Sequence, residues 1–110
     1  MDKQLSNYRP RIFVRDGNAH YEERAKILKA IAHPSRLMIV DTLSRGECCV
    51  CELVDMLGCD FSTVSKHLRT LKSVGIVEDD KRGKMVFYRL KVPCVVNFFQ
   101  CVEKVLAAQR

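Results

Sequence analysis

The chain has 110 residues, enough for one domain around one core, and its 47% hydrophobic and 29% charged residues suit a globular chain rather than a disordered tail. A net charge of +6 and a pI of about 9.1 point to a polyanionic partner; nucleic acid fits better than a membrane surface, because Lys and Arg are spread over several segments instead of lining one amphipathic face. No apolar run reaches the roughly 20 residues of a membrane span, and the first twenty residues lack the apolar core of a secretory signal, so a cytoplasmic location without membrane contact is expected, with the six cysteines as reduced thiols.

Residues 1–18 are basic and polar, with Pro10 and Gly17, and read as a loosely held arm ahead of a single domain at 19–110. From Ala19 to Ala32, apolar residues recur at Ala25, Leu28 and Ala32 and at Ile27 and Ile31, which predicts a helix with His20 exposed on it. Pro34 suits the first turn of a second helix, entered at His33, carrying Leu37, Val40 and Leu43 to Ser44 and ended by Gly46. Cys51 to Leu57 reads as a short third helix with Leu53, Val54 and Leu57 inward, stopped by Gly58. Asp60 or Ser62 can cap a fourth, in which Val64, Leu68, Leu71 and Gly75 follow the buried stripe while Thr63, Lys66, His67 and Thr70 face solvent. The period then shortens: Ile76–Asp79 and Met85–Leu90 predict two strands around a basic turn at Asp80–Lys84. Val92, Val95, Val96, Phe99, Val102 and Leu106 give a last helix more apolar than a solvated one needs, which predicts packing against a second copy.

Helices, a Gly-containing turn, another helix and a basic hairpin make a mainly α chain with a β-hairpin wing, the order of a winged helix-turn-helix whose fourth helix enters the major groove. Thr63, Ser65 and His67 are candidates for base edges, with Ser62 and Thr70 beside them; Lys66, Arg69, Lys72, Lys81, Arg82 and Lys84 would neutralise phosphates, a contribution that weakens as salt rises.

Three cysteines crowd into Cys48-Cys49-Val50-Cys51, directly before that reading segment. Together with Ala30-Ile31-Ala32-His33-Pro34-Ser35-Arg36-Leu37, Ser62-Thr63-Val64-Ser65-Lys66-His67-Leu68-Arg69-Thr70-Leu71 and Lys84-Met85-Val86-Phe87-Tyr88-Arg89-Leu90, the cluster resembles the ArsR/SmtB family of metalloregulatory repressors, most of all its arsenic-responsive branch. The resemblance covers most of residues 19–108. It implies a homodimer, joined through the first and last helices, that sits on an inverted-repeat operator in double-stranded DNA and lets go when a metal or metalloid binds. Cys49 and Cys51 fall on the first two thiols of the branch's third-helix motif; Val54 stands where the third would be, and Cys48 is the nearest replacement, with Cys59, Cys94 and Cys101 more distant. The Asp and His ligands that zinc-sensing relatives place on the last helix are absent from residues 92–110.

Soft As(III) and Sb(III) prefer three thiolates, so they are the expected inducers at Cys48, Cys49 and Cys51, with Cd(II) or Pb(II) as further thiophilic candidates. Cysteines at i and i+2 of a regular helix point about 200° apart; Cys49 and Cys51 would grip one ion only if the helix start distorted, whereas Cys48 and Cys51 would share a face. Oxidation or persulfidation of the same thiols is the alternative trigger on the same fold. A redox enzyme using Cys48-x-x-Cys51 would need a strand-first thioredoxin-like chain, which the helical flanks do not supply.

Overall fold

The structure is a computed structural model, and it describes residues 18–110. The expected basic arm lies outside the described residues except for Asn18, which opens the first helix. The elements run α1 (Asn18–Ile31), α2 (Pro34–Leu43), β1 (Cys48–Cys49), α3 (Val50–Leu57), α4 (Phe61–Ser73), β2 (Val77–Arg82), β3 (Met85–Leu90) and α5 (Val95–Gln109). Five helices and an antiparallel sheet of order β1-β3-β2 form the expected winged helix-turn-helix.

Local chemistry sets the boundaries. His33, extended at the entry to α2, accepts the Ser35 N–H through Nδ1 at 3.1 Å, and Pro34 follows where no N–H is needed. Gly58 ends α3 in the left-handed conformation, φ 68°, where a side chain would be strained. Asp60, not Ser62, caps α4: its Oδ1 accepts the Thr63 N–H at 3.0 Å.

The core lies where α2, α3 and α4 meet the sheet. Ile39, Val40, Leu53, Val64, Leu68, Leu71 and Val77 are its fully buried members, so the predicted stripes of α3 and α4 hold through Leu71, while Gly75 falls beyond the helix end. On α1 the expectation fails in part: Ala30 and Ile31 are buried, but Ile27, Leu28 and Ala32 are exposed, as is Leu37 on α2. None of the fifteen residues of α5 is buried; Val95 and Phe99 lean on the core, and Val92 lies before the helix. An apolar groove of about 750 Å³ runs between these surfaces, lined by Leu28, Met38, Phe98, Val102 and Leu106 among others.

Two corrections concern the sheet. The first wing strand runs further than expected, with Asp80, Lys81 and Arg82 inside β2 and only Gly83 and Lys84 in the turn, while β3 keeps its expected bounds. Gly83 holds φ 62°, which a tight two-residue hairpin demands of its first central residue. The short strand β1 was not expected; Cys48 pairs with Tyr88 and Cys49 with Phe87, so the cysteine cluster begins as sheet and ends as helix.

Candidate nucleic-acid interface and thiol site

On α4 the polar residues divide by what they already touch. Thr63, Lys66 and Arg69 are exposed. The Ser62 hydroxyl donates to Asp60 Oδ2 at 3.3 Å, so it belongs partly to the cap; bonds from Thr63 and Ser62 hold the Asp60 carboxyl below its ordinary range. Thr70 Oγ1 donates back to the Lys66 carbonyl at 3.1 Å, and both Ser65 and Thr70 are half-buried. His67, expected on the solvent face, is half-buried instead, its ring centroid 4.6 Å from that of His33. Burial lowers its pKa, and the charges of His33 and Arg36 lower it further, so the ring favours its neutral form. His67 thus joins the base of α4 to the start of α2.

The expected phosphate-binding cations divide the same way. Arg82, though exposed, is already paired: its guanidinium donates to both Glu47 carboxylate oxygens at 2.7 and 2.9 Å and to Asp80 at 3.0 Å, and lies 4.5 Å over the Phe87 ring. That fork holds the Glu47 carboxyl below its usual range and fastens the wing to the turn before β1. Lys72 pairs with Asp79 at 3.0 Å. Lys66, Arg69, Lys81 and Lys84 are exposed and make no ion pair among the described residues, which leaves them as the free cations of this face. Glu47 was the residue missed, for nothing in sequence marks a partner thirty-five positions away.

At the thiol cluster the i, i+2 argument does not hold, because Cys49 is not helical. It is the N-cap of α3, with extended φ −80° and ψ 161°, and this turns its side chain toward Cys51 in the first turn. The two Cα atoms are 5.4 Å apart and the two sulfurs are joined as a disulfide. Glu52 Oε1 accepts the Cys49 N–H at 2.9 Å, so the same residue that carries one of the two joined sulfurs anchors the helix start.

Cys49 is buried and Cys51 exposed, and both line an open cavity of about 140 Å³ together with Phe61 of α4 and Lys84, Met85 and Val86 of the wing. Cys48 does not line it: as a strand neighbour of Cys49 it faces the other side of β1, and burial, then the Glu52 charge, push its thiol pKa up. Position 48 being strand, its expected i, i+3 helical partnership with Cys51 does not arise. Cys59 leans on the core, and Cys94 and Cys101 are exposed at and along α5. Among the described residues, no three of Cys, His, Asp and Glu converge to hold a metal ion. That Phe61, Met85 and the exposed Lys84 border the cysteine cavity was not foreseen; the strand register across the cluster was the hidden signal.

Residues 33–79 match the model of the bacterial regulatory protein arsR family. The chain is 36% identical over 109 residues to a biofilm growth-associated repressor of Xylella fastidiosa, covering 99% of this chain and 96% of that one. The chain belongs to the ArsR/SmtB family of transcriptional regulators. It is also 40% identical over 87 residues to a cadmium resistance transcriptional regulatory protein CadC homolog of Staphylococcus aureus, covering 78% of this chain and 69% of that one. Its fold superposes with TM-score 0.72 and 33% identity on the homodimeric winged helix-turn-helix DNA-binding domain of Mb0332 from Mycobacterium bovis, over 84% and 85% of the two chains. The family's members are DNA-binding regulators, not enzymes. No described helix is long and apolar enough to cross a membrane.

Proposed function

We propose that the chain is an operator-bound repressor released by chemistry at Cys49 and Cys51. The observation that carries the reading is the meeting of these two side chains at the start of α3, the helix that packs on α4 through Leu53, Val54, Val64 and Leu68. Two copies joined along the α1–α5 groove would set two α4 helices on an inverted repeat, about one duplex turn, roughly 34 Å, apart. Ser62, Thr63, Ser65 and Thr70 are the base-side residues of this reading, with His67 holding α4 against the start of α2, and Lys66, Arg69, Lys81 and Lys84 the phosphate-side ones.

As(III) or Sb(III), or a soft ion such as Cd(II) or Pb(II), is the proposed inducer; Cys49 and Cys51 in the reduced, dithiol form would hold it, and it would supply metal–sulfur bonds in place of the thiol protons. Cys49 also donates its N–H to Glu52, so re-aiming its side chain disturbs the cap and with it the seat of α4. A coupling of about 1–3 kcal/mol would change operator affinity roughly 5- to 150-fold. Fluorescence anisotropy of reduced protein on its upstream DNA, with and without arsenite, tests this; release in wild type and none in the Cys49→Ser, Cys51→Ser variant is the expected result.

The disulfide itself favours a second reading, a thiol-oxidation sensor. Here a peroxide accepts two electrons and two protons from the dithiol, leaving the disulfide and water. Release by peroxide alone, reversed by dithiothreitol and unaffected by arsenite, would select this reading over the metalloid one.

A further inference from the structure

The reading face carries two large apolar side chains in the open. Phe61, the first residue of α4, is 63% exposed, more than any other large hydrophobic among the described residues, and Met85 at the start of β3 is 45% exposed. Most of the other exposed hydrophobics lie on α1, α2 and α5 instead. Helical spacing says where Phe61 sits. Val64, Leu68 and Leu71 form the buried stripe of α4, whereas Phe61, Ser65 and Lys72, at i, i+4 and i+11, share the flank beside it. At one end of that flank Lys72 pairs with Asp79 of β2 at 3.0 Å, so the flank faces the wing. At the other end Phe61 lines an open cavity with Lys84, Met85 and Val86. Phe61 therefore stands in the notch between the wing and the helix that enters the major groove, where a DNA strand touching both has to pass.

Charge and continuity assign this notch to DNA. Lys84, exposed and in no ion pair among the described residues, lies in its wall, and Ser62 and Thr63 follow Phe61 directly on the exposed side of α4. A large apolar group set among a cation and hydroxyls has one apolar counterpart in the major groove, the C5-methyl of thymine; the other groups read there are hydrogen-bond donors and acceptors. We propose that Phe61 is a specificity residue of the operator complex, covering the C5-methyl of a thymine in each half-site, with Met85 closing the contact from the wing. The proposal rests on operator binding by α4, the reading above, and adds an apolar determinant to its polar ones. Burial of apolar surface releases no counterions, so the contact sharpens sequence preference without changing the salt slope that Lys84 contributes.

The test is fluorescence anisotropy of the full reduced chain on its upstream DNA, made once with thymine and once with deoxyuridine throughout, which removes only the methyls. Wild type, Phe61→Ala and Phe61→Leu are compared across a range of salt concentrations. Wild type is expected to lose about four-fold on the deoxyuridine duplex for each methyl covered, the worth of burying one such group. Phe61→Ala is expected to bind the thymine duplex more weakly by the same factor, to distinguish the two duplexes correspondingly less, and to keep the wild-type salt slope; Phe61→Leu should fall between. If wild type and Phe61→Ala lose equally on deoxyuridine, the methyls are read elsewhere. If Phe61→Ala binds the thymine duplex as tightly as wild type, the notch holds another partner. Either result overturns the proposal and leaves operator binding standing, whereas a wild type that binds its upstream DNA no better than an unrelated duplex would bring down both.

Discussion

The reading half of the molecule and the helical flank differ in how they treat their apolar side chains. Around α3, α4 and the wing, Leu53, Val64, Leu68, Leu71 and Val77 close over one another within the chain, and the exposed exceptions include Phe61 and Met85, which line the thiol cavity. Along α1, α2 and α5, Leu28, Leu37, Met38, Phe98, Val102 and Leu106 remain 38–47% exposed around an open groove. A contiguous apolar surface of that kind is costly to leave in water and marks an interface. The first half therefore folds as a finished module, and the second is half of something. Both halves share α2, so the proposed dimer seam and the reading helix press on opposite sides of one element.

The largest effect should come from breaking the seam without touching the module. Phe98→Asp combined with Leu106→Asp puts two charges into the groove; the protein is expected to sediment as a monomer with its helical content kept, and to lose about 10²–10⁴ in operator affinity as bivalent binding disappears. A dimer that survives both charges would mean that the groove faces something else. The complementary lesion is Leu68→Ala, which should cost about 2–5 kcal/mol in urea unfolding because the side chain is fully buried between α4 and the core. Its signature is lost stability, where that of the seam variant is lost assembly.

A smaller effect separates the cations of the wing. Lys81→Ala with Lys84→Ala should weaken binding similarly on all sequences and lower the salt dependence by roughly one unit of slope per phosphate contact removed. Arg82→Ala is expected to leave that slope unchanged, since its charge is already spent on Glu47 and Asp80, and to loosen the wing's attachment instead. Equal slopes for all three would mean that Arg82 leaves its carboxylates when DNA arrives.

What could be read from sequence follows the same division. Helical period gave α3 and α4 and their buried stripes because those stripes are satisfied inside one chain. The same period on α1 marked an apolar face in part but did not show that Leu28 stays uncovered in a single copy, whereas the surplus of apolar residues on α5, Leu106 among them, was read as a face for a second copy. The thiol cluster was legible as a cluster and misread as a geometry: two residues of strand at Cys48–Cys49 are too short for any alternation to show, yet they put Cys49 in extended backbone and let it meet Cys51. Arg82 was read as a cation open to phosphate and His67 as solvent-facing because their partners, Glu47 and His33, lie thirty-five and thirty-four positions away, a pairing only the tertiary fold creates.

The smallest expected effect tests whether the contact of His67 with His33 matters to the module. Burial, His33 and Arg36 all push the His67 pKa below its ordinary 6.5. The unfolded chain therefore takes up a proton at a pH where the folded chain still resists it, so stability is complete above about 6.5 and declines as pH falls toward the lowered folded value. Urea midpoints between pH 7.5 and 5 should fall for wild type and fall less for His67→Gln, whereas the lowered Asp60 and Glu47 carboxyls add their own decline only at more acidic pH. If the two curves run parallel, burial against His33 does not hold the His67 ring neutral, and the join between the reading helix and the start of α2 rests on apolar packing alone.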